Sequence, residues 1–152
     1  MSLSAKDHDA RRQWMGVLAK SPEAELARLW PDLGALPDWV HLRRPEVGLV
    51  MVRGRMGGDG GPFNLGEMTV TRCSVRLEGG AVGHAWVAGR GPAHAEMAAV
   101  ADALLQMSAW RDKVGAALVA PLARLLAENK ASAGRKAAAT RVDFFTMVRG
   151  ED

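Results

Sequence analysis

Four histidines, one cysteine and a run of arginines hold most of the chemical capacity of this 152-residue chain. The histidines are scattered: His8, His41, His84 and His94. His94 and Glu96 are two apart on an expected helix, so they face different sides and cannot chelate one ion. A metal site takes three or four convergent ligands, and none is expected here. His84 and His94 remain candidates for acid–base work. No G-x-S-x-G elbow is present for a serine nucleophile. Cys73 sits in an alternating stretch and reads as a small buried thiol rather than a nucleophile. The arginines at 53, 55, 72, 76 and 90 fall in strand-like sequence. A guanidinium donates two parallel bonds to phosphate oxygens. Arg53, Arg55 and Arg90 are accordingly the candidate anion contacts. The competing reading is that these arginines line a solvated sheet face.

Two glycine-rich stretches frame those arginines. Arg53–Pro62, RGRMGGDGGP, contains neither Gly-Lys-Ser/Thr nor a G-x-G-x-x-G opening a helix, so it is not a phosphate loop of known type. It reads as a flexible loop that closes over an anion, fits a partner surface, or simply joins a hairpin. The second stretch is a corner, Gly89-Arg90-Gly91-Pro92. Before it, Ala81–Ala88 reads as a strand. After it, Met97, Ala101, Leu104 and Leu105 recur at helical spacing. Pro92 suits a first helical position, and Glu96 suits the positive end of the helix dipole. A strand running into a helix start is a place to hold an anion, or merely a tight turn.

The remaining elements must position these groups. Ser4–Lys20 reads as a helix with an Ala10, Trp14, Val17, Leu18 stripe. Ser21 caps a second helix with Pro22 at its first position, and Pro31 ends or bends it. This helical hairpin is expected to cover one face of a sheet. Trp39–Arg43 reads as a short strand ended by Arg44-Pro45. Val47–Met56 reads as a second, with Leu49 to Val52 buried on both faces. Phe63–Leu77 changes its alternation near Arg72, which signals a bulge. Glu78-Gly79-Gly80 is a hairpin turn. A helix follows over Pro92–Trp110. Val114–Ala120, apolar and small, reads as a helix extension or a strand, and Pro121 biases Ala120 away from helix, towards an extended connection. A last helix runs from Pro121 toward Lys136. Arg141–Arg149 reads as a strand or arm that completes the sheet or docks on another subunit, with Phe144, Phe145 and Met147 as candidate interface residues. Helices, a strand meander, then helices again give an α+β fold, mostly antiparallel, read as a single domain over residues 1–152.

The totals narrow the function classes. Hydrophobic residues make up 48% of the chain, a globular composition. Twenty Lys and Arg are offset by 17 Asp and Glu, leaving a net charge of +3. With no tyrosine in the chain to help form a stacking pattern, a nucleic-acid partner is not expected. No apolar run approaches a membrane span. The charged first twenty residues lack a signal-peptide core. The expected setting is the cytoplasm.

Several segments together resemble one family. TRVDFFTMVRG (Thr140–Gly150), RRQWMGVLAKS (Arg11–Ser21), EVGLVMVRGRMGGDGGPFNLGEMTVTR (Glu46–Arg72), VRLEGGAVGHAWVAGRGPAHAEMAAVADAL (Val75–Leu104) and APL (Ala120–Leu122) are similar, in order and spacing, to the PhnG family of the bacterial carbon–phosphorus lyase core complex. The resemblance implies a role in phosphonate breakdown beside PhnH, PhnI and PhnJ. With PhnI, PhnH and the ATPase-like PhnL, such a subunit supports transfer of the ribose triphosphate of ATP onto an alkylphosphonate, with release of adenine. ATP is then a substrate of the complex, and no cofactor bound by this subunit is expected. The family offers no agreed catalytic residue to carry across. The resemblance therefore implies an assembly and positioning subunit, or alternatively a catalytic one using His84 or His94.

Overall fold

The computed structural model describes residues 5–140. Phe144, Phe145 and Met147, with the expected C-terminal strand or arm, lie outside the described residues. In chain order the elements are α1 (Ala5–Lys20), α2 (Glu23–Leu29), a 3-10 turn (Trp30–Leu33), β1 (Trp39–Arg55), β2 (Pro62–Leu77) and β3 (Val82–Ala88), followed by α3 (Pro92–Leu105), α4 (Ser108–Val114), a π turn (Gly115–Val119) and α5 (Ala120–Ala139). The three strands form one antiparallel sheet in the order β1-β2-β3. The arrangement is the expected α+β.

Helix α3 is the centre of the molecule. Ala95 and every residue from Ala98 to Leu105 are buried. The expected one-sided stripe is therefore too narrow: α3 packs on the sheet with one side and on α1, α2 and α4 with the others. A helix apolar all round belongs in a core. Helices α1 and α2 consequently form a third layer over α3 rather than covering a sheet face directly, although α1 also reaches β3. Small residues set the spacing of the inner layers. A Cβ on Gly83 would lie 1.9 Å from the Ala99 carbonyl oxygen and 2.9 Å from the Ala103 Cβ. Helix and strand approach so closely there that only glycine fits.

Five local expectations are corrected. The two strands expected before the glycine loop are one, β1. Register irregularities between His41, Arg43 and Glu46 absorb Arg44 and Pro45. β1 is an edge strand of the sheet, where a proline's missing N–H is tolerated. The bulge expected near Arg72 is opposite it: β2 runs in unbroken register along β3, and the extra residues are on β1. Ser21 does not cap α2. Its hydroxyl donates to the Val17 carbonyl at 2.7 Å and finishes α1, leaving Pro22 at the cap position. Finally, Val114–Ala120 is helical. Pro121 has no N–H, and its ring collides with carbonyls of a regular preceding turn. The π turn opens that stretch by one residue, with the Ala120 N–H reaching the Gly115 carbonyl, and the helix continues into α5. The helix expected over Pro92–Trp110 instead breaks between α3 and α4, at Gln106 and Met107.

Candidate functional site

The two candidate histidines have different surroundings. His94 is buried on α3, and its Nε2 lies 2.8 Å from the Leu18 carbonyl oxygen of α1. A carbonyl can only accept, so Nε2–H donates and His94 pins α1 to α3. His84 is exposed on β3, with Nδ1 2.8 Å from the Ser74 hydroxyl on the neighbouring strand. Its ring borders a cleft with His8, Arg12 and Met15 of α1. Among the described residues no three His, Cys, Asp or Glu side chains converge to hold a metal ion.

A carboxylate that sequence reasoning passed over links these layers. Asp102 is completely buried on α3. Arg11 donates to both its oxygens, at 3.1 and 2.7 Å, and the Trp14 indole N–H donates at 2.9 Å. The backbone N–H of His84 adds a bond at 3.0 Å. One turn on, the Gln106 amide donates to the Val82 carbonyl at 2.8 Å. Asp102 and Gln106 thus occupy two outward backbone groups of edge strand β3, the His84 N–H and the Val82 carbonyl, which otherwise invite another strand. The signal was present: an aspartate inside AAVADALL must be paired if the helix is buried.

On the sheet face bearing His84, Arg72 stacks over Trp86 at 5.4 Å and bonds Glu46, which also accepts from Arg43 at 2.6 Å. The Arg43 and Arg72 guanidiniums hold the Glu46 carboxyl below its usual range, Arg43 most strongly. Cys73 points the other way, into the core. Burial, and then the nearby Glu96 charge, push its thiol up to about 11. At pH 8 this leaves about 100-fold less thiolate than the ordinary value of 9.0. Alkylation of the native protein by iodoacetamide should be slowed at least that much relative to the denatured chain. Equal rates would mean the thiol is open. Because the folded value lies above the unfolded one, this stabilising contribution is complete below pH 9 and is lost as pH rises through 11.

Arg90 stands at the corner between β3 and α3, whose backbone is engaged internally. The Thr71 hydroxyl donates to the Gly89 carbonyl at 2.7 Å and accepts from the Gly91 N–H at 3.1 Å, while the Gly89 N–H bonds Thr69. Arg53 pairs with Asn64, four residues of β1 beyond the Leu49–Thr69 pair, hence about 13 Å farther along the strand. Arg55 donates to the Gly60 carbonyl across the glycine loop at 3.3 Å. The three arginines are therefore spread along the strand direction rather than gathered round a point.

That loop closes a two-stranded arm. β3 pairs with β2 only from Val70 onward, so β2 from Pro62 to Thr69 has β1 alone beside it. Leu49 to Val52 were expected to be buried on both faces, and they are not. Leu49 is 63% exposed and Met51 59%, and on the opposite face Leu65 is 65% exposed. The run is continuous because β1 carries apolar side chains on both faces of the arm, with Thr69 and Glu67 paired beside Leu49 and Met51, but the core ends before reaching it. Val47, Met56, Phe63 and Met68 add to the same surface.

Comparison with known proteins covers nearly the whole chain. The family model described as phosphonate metabolism protein PhnG matches residues 9–150. The alpha-D-ribose 1-methylphosphonate 5-triphosphate synthase subunit PhnG of Rhizobium meliloti (strain 1021) is 51% identical over 142 residues, covering 93% of this chain and 90% of that protein. A three-layer α+β body with an uncovered strand arm, matched over nearly its full length, places this chain in the PhnG family of phosphonate metabolism proteins.

Proposed function

We propose that this chain is an assembly and positioning subunit of the synthase that makes alpha-D-ribose 1-methylphosphonate 5-triphosphate. The relative's name supports membership of such a complex. The observation that carries the positioning role is the arm, whose exposed leucines and methionines occupy both faces of two strands. Apolar surface of that extent marks an interface. On this reading the partners are PhnI, PhnJ and PhnH, with a PhnL-like ATPase, in the cytoplasm. The complex transfers the ribose triphosphate of ATP to a phosphonate and releases adenine. This subunit binds no cofactor itself, and Arg53, Arg55 and Arg90 line the approach of the polyanionic substrate. The exposed His84–Ser74 pair supports a second reading, in which His84 acts as acid or base in the displacement of adenine.

Tagged chain should co-purify with co-expressed PhnH, PhnI and PhnJ as one sized complex. A chain that elutes alone as a stable monomer overturns the assembly reading. In the purified complex, His84→Gln should leave adenine release unchanged. Loss of release with assembly intact would favour the second reading.

A further inference from the structure

Outside the arm, α1 and α5 enclose a groove between them. Its floor is Gly16, Val17 and Leu126, and its rim carries Arg12, Lys20 and Lys130, with no carboxylate among the residues lining it. We infer that this groove receives an acidic amphipathic helix of a partner subunit. The inference rests on the assembly reading above and adds the chemistry of one docking site.

The floor is apolar, so the occupant must bring apolar side chains as well as charge. Arg12 and Lys20 are eight residues apart on α1, about 12 Å along its axis. Carboxylates two turns apart on a helix laid beside α1 match that spacing, while Lys130 closes the other wall. Helix-in-groove docking of this kind reads out an apolar stripe with flanking charges.

Gly16 supplies an independent argument. It sits well inside α1, where glycine is a poor helix former relative to alanine. Among the described residues nothing requires it: a Cβ there would meet no atom within 4 Å. The glycine instead leaves a notch in the floor, open to whatever lies above it. Gly16→Ala should therefore raise the melting temperature of the lone chain, and the bulkier Gly16→Leu should block docking.

The test places a photo-crosslinking benzoylphenylalanine at Gln13, on the groove wall, in the full chain co-expressed with its partners. The expected product is a single cross-link to an acidic amphipathic helix of another subunit. Its yield should fall at least ten-fold with the Lys20→Glu and Lys130→Glu pair, and likewise with Gly16→Leu. A cross-link to a second copy of this chain, to a segment without carboxylates, or one insensitive to charge reversal overturns the inference. So does a complex that assembles with no cross-link at Gln13, which leaves the assembly reading standing. If no complex forms with unsubstituted chain, both fall together.

Discussion

Replacing Leu49 and Leu65 by lysine should leave the isolated chain folded and detach it from its partners. Both side chains are already mostly in water, so the lone fold loses little, within about 0.5 kcal/mol for each change. In an assembled complex the balance reverses. Leu49 shares a face with Met51, and Leu65 lies on the opposite face beside Phe63 and Gly54, so the pair tests both sides of the arm. A lysine buried at a packed apolar interface brings an unpaired charge as well as lost packing. Central interface residues are worth about 2 kcal/mol or more each, so the double variant should bind about 1,000-fold more weakly. Melting curves of the lone chain and sizing of the co-expressed complex decide the matter. Co-elution at the wild-type level would remove the arm from the interface.

Asp102→Ala should be among the most damaging single changes to the fold. It strips both bonds from the Arg11 guanidinium and leaves the Trp14 and His84 N–H groups without their acceptor. Breaking one side of a buried, hydrogen-bonded ion pair costs about 3–5 kcal/mol. For a domain of this size that lowers the melting temperature by about 6–20 °C. Asp102→Asn should fall between, because its carbonyl still accepts a bond while its amide group faces Arg11. Differential scanning calorimetry of the three proteins would show the order. An alanine variant melting with the parent would mean that water replaces the carboxylate without loss.

Local sequence signals located the elements well and their environments less well. The hairpin turn, the Pro92 helix start and the long β2 were all readable from Gly, Pro and alternation. Burial of β1 was not. An apolar run such as Leu49–Val52 looks the same whether it lies inside its own chain or inside a partner. Pro121 misled for a related reason: its bias against helix is a property of a regular turn, and a π turn lifts it. Asp102 was visible as an oddity in an alanine-rich helix, but its partners are far off in sequence. Arg11 and Asp102 are separated by 91 positions, beyond any periodicity. Among the sequence-named site residues, His94 is held by a backbone carbonyl, whereas His84 remains accessible.

That separation also sets an order of events during synthesis. The strand meander joins near neighbours and can form as it emerges. Helix α1 cannot be completed then, because the carboxylate that Arg11 and Trp14 require is added about ninety residues later. At roughly 5–20 residues per second, that is a wait of about 5–18 seconds. Throughout it, Trp14 and Leu18 lack their native cover. Helix α1 thus docks long after it is made, and its apolar side is what a ribosome-associated chaperone would meet in the interval.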